Sequence, residues 1–284
     1  MFAVTGANGN LGRLSIKALL DIVPPTGIVA GVRNPDRVDD LRALGVQVRT
    51  MDYDRPETLL QALEGVEKLL LISAVVPGER FRQHKAVIDA AKKAGVKSVA
   101  YTSMLRADTS TLTLAGEHKA TEDYLKASGL EYVLLRNGWY LENTTAALPS
   151  ALERGVIVGS SGQGRFASAT RADYAAAAVA VLTQPGHANK TYELAGDHAF
   201  SMTEFAAEVS KQAGRSIVYN NLPPAEYETA LLQAGLPKMI VDVIIDADLK
   251  AASGELDSSS KDLSLLIGRN TTPFSDAIQA ALRT

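Results

Sequence analysis

The 284-residue chain contains no cysteine, which excludes disulfides, thiol nucleophiles, Cys-ligated zinc and iron–sulfur clusters together, and suits a reducing cytosol. Histidine is scarce too. His84, His118, His187 and His198 are the only four, none lies four residues from another, and without thiolates no metal ligand set assembles from spacing, so no metal is expected. Basic residues are not in excess: 29 Lys plus Arg against 32 Asp plus Glu leave a net charge of −3, the wrong sign for gripping a phosphate backbone, so no nucleic-acid partner is expected. No run approaches the roughly 18 apolar residues of a membrane helix, so membrane insertion is not expected. The opening Phe2-Ala3-Val4-Thr5 reads as a strand with no leader ahead of it, which points to the cytoplasm. What is present is ordinary for a globular protein, 46% hydrophobic and 21% charged, and long enough for a sizeable core.

Short β-branched apolar runs recur at 2–5, 28–32, 46–50, 68–73, 98–102 and 132–135. Helical patterns fill the gaps at 10–22, 35–44, 56–63, 79–94 and 114–128, several stopped by Gly45, Gly65, Gly95 or Gly129 where a helix C-terminus takes a glycine. Strands that alternate with helix-length crossovers must be parallel, so the fold class is α/β, a doubly wound parallel (Rossmann) sheet. Further strands at 155–158 and 191–194 flank an Ala-rich helix from Arg171 to Thr183. Past Leu194 the pattern turns mostly helical, punctuated by Pro223, Pro224, Pro237 and Pro273, with one short strand at 217–219. The expected organisation is a nucleotide-binding domain over 1–155, to which about 156–195 returns, and a smaller substrate lobe over 196–284.

Gly6-Ala7-Asn8-Gly9-Asn10-Leu11-Gly12 spaces three glycines as G-x-x-G-x-x-G directly between the first strand and the first helix. Gly6 suits a tight turn, Gly9 lets backbone approach a pyrophosphate, Gly12 lets helix and strand pack closely, and the free N–H groups of the helix start favour an anion. The residue ending the second strand discriminates between nicotinamide cofactors, a carboxylate favouring the ribose hydroxyl and an arginine the 2′-phosphate. Arg33 stands there, so NADP(H) is the expected cofactor; the plainer alternative is a surface arginine paired with Asp36. Asp52, after the third strand, lies where a side chain meets the adenine edge or merely starts the next helix.

These residues resemble the NmrA-like branch of the atypical short-chain dehydrogenases, whose opening motif is T-G-A-x-G-x-L-G. Val32-Arg33-Asn34-Pro35, Tyr101-Thr102-Ser103, Leu134 to Tyr140 and Thr191 to Leu194 follow in family order, so the likeness spans most of the chain. It implies NADPH across the carboxyl ends of the sheet, a substrate cleft between the lobes, and reduction of a quinone or of a triphenylmethane dye. It also implies cofactor-facing roles for Asn8, Asn10, Leu11, Ser73, Ala74, Thr102, Asn137, Gly138, Trp139 and Arg171. Ser103, Asn137 and Tyr140 become the candidates beside the reacting atoms. Each has a plainer reading, since strand-end Ser and Thr cap helices and Trp139 and Tyr140 suit lobe packing. Where the wider family carries Tyr-x-x-x-Lys, this chain reads His118-Lys119-Ala120-Thr121-Glu122. Without that proton relay simple ketones are poor substrates, whereas a quinone accepts hydride to give a delocalised anion that solvent protonates. The same absence would suit a cofactor-binding redox sensor that signals to a protein partner without turnover.

Overall fold

The computed structural model describes residues 1–283. The chain runs β1 (Phe2–Val4), α1 (Asn10–Leu20), β2 (Ile28–Val32), α2 (Asp39–Ala43), β3 (Gln47–Thr50), α3 (Pro56–Ala62), β4 (Lys68–Leu71), α4 (Arg80–Lys93), β5 (Ser98–Met104), α5 (Ala115–Ala127) and β6 (Glu131–Asn137). There follow α6 (Leu141–Thr145), α7 (Leu148–Arg154), β7 (Val156–Gly159), β8 (Arg165–Phe166), α8 (Arg171–Thr183) and β9 (Lys190–Leu194). The last elements are β10 (Phe200–Ser201), α9 (Met202–Ala213), β11 (Val218–Asn221), α10 (Pro224–Gln233), α11 (Lys238–Ala252), α12 (Asp262–Ile267) and α13 (Phe274–Ala281). Gly45, Gly65, Gly95 and Gly129, read as helix stops, all adopt positive φ. The helix expected over 35–44 is instead a 3-10 turn at Pro35–Arg37 and the short α2. The Asn34 side chain accepts from the Asp36 N–H and closes that turn, and Val38 at φ −140° interrupts the helix.

The chain forms two compact units. The first comprises Met1–Asp108, Ala115–Asn137 and Arg171–Glu193. Among the described residues its main sheet has seven strands in the order β3-β2-β1-β4-β5-β6-β9. The registers are parallel from β3 through β6. Alternation along the strands divides the core. Ala3, Val29, Leu69, Leu71, Val99, Tyr101 and Leu134 pack with Leu59 and Leu63 of the α3 stretch, Val87 and Ile88 of α4 and Leu125 of α5. The intervening strand residues face the helices α1 and α8. In α8 the buried Ala175, Ala177, Ala178 and Ala180 leave so little side chain that helix backbones approach closely.

The second unit comprises Thr109–Leu114, Gly138–Thr170 and Leu194–Thr284. Its β7 pairs in parallel with β11, Val156 opposite Val218, which is why 156–159 stays out of the large sheet. Phe166, Phe200, Phe205 and Phe274 stack with centroids 4.8–6.3 Å apart to form an aromatic centre. Among the described residues no helix is long and apolar enough to cross a membrane.

Candidate active site

In the first unit strands are added on one side of β1 up to β3 and on its other side from β4, so the strand order, not the strand direction, switches between β1 and β4; in an open α/β sheet the ligand crevice lies at that switch, outside the carboxyl ends. The glycine loop forms one wall. Gly6 turns at φ +57° and its carbonyl accepts the Gly9 N–H at 2.9 Å. A Cβ on Gly12 would fall 2.4 Å from the Gly6 oxygen and 2.7 Å from the Ala7 Cα, so the loop and α1 touch backbone to backbone. Gly9 is the N-cap of α1, no side chain caps that end and no acid sits in its first turn. The N–H groups of Asn10, Leu11 and Gly12 therefore face the crevice uncompensated, as a pyrophosphate requires. The cradle fits a dinucleotide. Arg13, which the motif reading passed over, donates to the Asn8 carbonyl at 3.1 Å and to its side-chain oxygen at 2.6 Å and pairs with Asp40, fixing the loop from the helix side.

Arg33 leaves the end of β2 exposed and forms no ion pair with Asp36. Its charge helps lower the Asp54 carboxyl, which is held down first by hydrogen bonds from Arg82 and Gln83. Asp52 is turned into its own loop: its carboxylate accepts the Asp54 N–H at 3.1 Å and lies 3.8 Å from Arg55. A sequence signal for the Gly31 backbone was missed. A Cβ there would strike the Met51 sulfur at 2.4 Å, so this glycine is set by packing at the base of the crevice.

The opposite wall is the segment after β4. The Ile72 N–H donates to Thr5 Oγ1 at 2.9 Å, the Ser73 N–H to Thr102 Oγ1 at 2.9 Å and the Ala74 N–H to His84 Nε2 at 2.8 Å. The Ile72 and Ala74 carbonyls accept from Tyr53 Oη at 3.2 Å and Arg80 Nε at 2.9 Å. Thr102, expected to face the cofactor, thus spends a lone pair on the neighbouring strand and is 2% exposed. Ser73 and Ala74 follow the end of β4 and are partly exposed. His84, Arg80 and Tyr53 are the supports that motif reading did not assign. The legible signal was Arg80/His84 and Glu117/Thr121, two polar i, i+4 pairs on helices that otherwise bury one face.

Next to β5 and β6 the chemistry is charged. Arg136 binds Glu122 through two bonds of 2.9 and 2.7 Å and also reaches Asp108 at 2.9 Å and Glu193 at 2.7 Å. Ser103 donates to Glu122 at 2.6 Å. Burial works against the Arg136 charge, but the carboxylates of Glu122, Glu193 and Asp108 overcome it and raise its pKa. The second Glu193 oxygen holds the N–H of Arg106 at 2.8 Å, a residue forced to φ +53°. The place of the family lysine is therefore taken by Glu122, fully buried and bonded. His118, in place of the tyrosine, is 6% exposed and its Nδ1 lies 2.7 Å from Tyr101 Oη. Burial first and the Arg80 charge second lower its pKa well below the usual histidine value.

Asn137 ends β6 at the same edge, 6% exposed, and its carbonyl accepts from Leu105 at 2.9 Å. Gly138, Trp139 and Tyr140 belong to the second unit. There the Gly138 N–H bonds the Leu194 carbonyl, and Tyr140 bridges Ala169. Arg171 opens α8 in the first unit. Among the described residues no three His, Asp or Glu side chains are grouped to hold a metal ion.

A family model described as NAD(P)H-binding matches residues 6–185. The chain belongs to the NAD(P)H-binding family. It is 52% identical over 278 residues to quinone oxidoreductase 2 of Escherichia coli K12, covering 98% of this chain and 97% of that protein. The crystal structure of the Escherichia coli NADPH-dependent quinone oxidoreductase complexed with NADPH superimposes with a TM-score of 0.96 at 51% identity, covering 99% and 100% of the two chains. The Citrobacter triphenylmethane reductase complexed with NADP(H) gives 0.95 at 37% identity over 99% and 100%. The resemblance read from the motifs, the doubly wound fold and the NADP cofactor are thereby borne out.

Proposed function

We propose that this protein is an NADPH-dependent reductase that delivers hydride to a quinone. The observation that carries the reading beyond cofactor binding is the state of the two residues in the Tyr-x-x-x-Lys place. Glu122 is fully buried and bidentate on Arg136, and His118 is bonded to Tyr101, so neither is available to relay a proton to an alkoxide. A substrate whose reduced form is a delocalised anion needs no such relay and takes its proton from water. The share of each chain aligned with the Escherichia coli quinone reductase, 98% and 97%, supports the same substrate class.

NADPH, when bound, would supply the hydride. In this reading the N–H groups of Asn10, Leu11 and Gly12 hold the pyrophosphate, with Gly6, Asn8 and Gly9 shaping the loop around it. Arg33 pairs with the 2′-phosphate, and Asp52 borders the adenine. Ser73, Ala74 and Asn137 line the nicotinamide end, with Thr102 holding the Ser73 N–H behind them and Gly138, Trp139 and Arg171 as further contacts. Tyr140 borders the substrate oxygen. Ser103 gives its proton to Glu122, so it has none to offer a quinone oxygen and serves by holding that carboxylate in place. Residues 196–284 act as the substrate lobe. The deciding measurement is NADPH oxidation across a panel of quinones and triphenylmethane dyes. Turnover with quinones at rates above those with the dyes is expected; tight NADPH binding with no turnover on any of them would replace the reductase reading with a redox sensor.

A further inference from the structure

Three consecutive N–H groups at Ile72, Ser73 and Ala74 are each taken by a side chain from a different element, β5, α4 and the Thr5 position after β1. Strand-end hydroxyls are ordinary partners for a neighbouring strand. An imidazole from the interior of a helix is not. His84 is 0% exposed, and burying a polar ring is costly unless its nitrogens are bonded. Both are. Nδ1 lies 3.1 Å from Thr121 Oγ1, whose own proton goes to the Glu117 carbonyl at 2.8 Å. The proton of the ring therefore sits on Nδ1, and Nε2 keeps the lone pair that accepts from Ala74. Burial, with a smaller contribution from the Arg80 charge, pushes the imidazole pKa down to about 3, so this arrangement persists at neutral pH.

The same residue is held through its carbonyl as well. Arg80, 5% exposed, donates Nε to the Ala74 carbonyl and is itself fixed by Glu117, which accepts its N–H at 3.1 Å and its Nη1 at 3.0 Å. Beyond this clamp Val75 is 83% exposed and Val76 42%, and Gly78 at φ +86° returns the chain to α4. A rigid base thus presents two bare valines at the carboxyl edge. With Arg33 at the end of β2 and the pyrophosphate cradle at β1, a dinucleotide laid along this edge brings its far half to β4.

We propose that His84 is a positioning residue for hydride transfer: with Arg80 it fixes both polar groups of Ala74 and so sets where Val75 and Val76 meet the nicotinamide and the flat substrate. The inference rests on the reductase reading above. Its test compares His84→Phe, which keeps the ring and removes the acceptor, with His84→Gln, which restores an acceptor oxygen. The readouts are kcat/KM for a quinone and the affinities for NADPH and for 2′,5′-ADP, which carries only the adenosine half. His84→Phe should lose about 10–100-fold in kcat/KM and weaken NADPH binding, with 2′,5′-ADP affinity unchanged within about twofold and most of the loss recovered by His84→Gln. Equal losses for NADPH and 2′,5′-ADP, or kcat/KM within about twofold of wild type, would overturn it. Should His84→Phe not fold, the isosteric Thr121→Val releases the tautomer lock and decides by the same two criteria. A wild-type protein that binds NADPH yet reduces no quinone defeats the reductase reading alone, because the split between NADPH and 2′,5′-ADP still reports on His84.

Discussion

Two stretches of the same sheet edge are built from opposite materials. Between β1 and β4 the backbone is held by the hydroxyls of Thr5, Thr102 and Tyr53, the imidazole of His84 and Arg80, whose charge Glu117 balances, and the start of α1 is left open. Around β5 and β6 the side chains are fully charged and consumed by one another, with Arg136 meeting Glu122, Asp108 and Glu193. The difference teaches where the site keeps its binding capacity. Open N–H groups in a neutral frame attract an anion, whereas a closed ion cluster fixes geometry and has no proton to lend.

The comparison breaks most visibly if the cluster is opened. Arg136→Met should leave Glu122 buried without its principal partner and cost about 3–5 kcal/mol, read as a lower urea midpoint at pH 7. A loss under about 1 kcal/mol, the range of exposed pairs, would show that the cluster is not a buried unit.

At the neutral end, the largest effect on binding is expected from Arg33→Asp. It removes a pairing with the 2′-phosphate in which each charged hydrogen bond contributes about 1.5–3 kcal/mol. NADPH affinity should drop about tenfold to a hundredfold while NADH affinity holds or improves, measured by calorimetry; the exposed Arg37 one turn on sets the lower end of that range. A variant that still prefers NADPH would show that another cation reads the phosphate.

A carboxylate with too few partners sharpens the contrast with Glu122. Asp248 in the second unit accepts the Ser160 N–H at 2.6 Å and lies against Gly159, where an added Cβ would be 3.0 Å from its Oδ2. Burial pushes its pKa up to about 6, only partly opposed by the Ser160 bond. A carboxyl with its pKa raised on folding favours the protonated native state, so its stabilising contribution is full below about pH 4 and is lost as pH rises through 6. Between pH 7.5 and 5 the wild type should therefore gain about 1–2 kcal/mol relative to Asp248→Asn, after discounting for partial exposure. Parallel urea titrations of the two proteins check this, and identical pH slopes would refute it.

The smallest effect is expected at His118. Its ring already has Tyr101 as partner, and its pKa is lowered by burial, so His118→Ala should reduce quinone turnover by less than about tenfold. A loss in the 10²–10⁴-fold range typical of a general acid, with NADPH binding intact, would make it the proton donor.

The sheet was legible because its signals are local. Alternating strands with helix-length returns dictate parallel pairing, and a glycine triplet between the first strand and helix carries its geometry in its spacing. The Arg33 position was legible for the same reason, 21 residues past Gly12. Several boundaries were not. The 155–158 strand reads like any other apolar run, and only its partner at Val218–Asn221 assigns it to the second unit. Thr102 and Ser103 lie near the carboxyl end of β5, but whether a hydroxyl faces a ligand or a neighbour depends on what lies across from it, and Ser73 and Glu122 do.

By itself the sequence determined the periodicities, the open helix start and the absence of thiols and of the Tyr/Lys pair, each a property of adjacent residues. Only the tertiary structure decided what replaces that pair and what holds the loop after β4. Arg136 and Glu122 are 14 residues apart, Ala74 and His84 ten, and Ile72 and Thr5 67. Such partners are chosen by where the sheet brings strand ends and helix faces together, because a buried polar group is tolerated only where another is within hydrogen-bond reach.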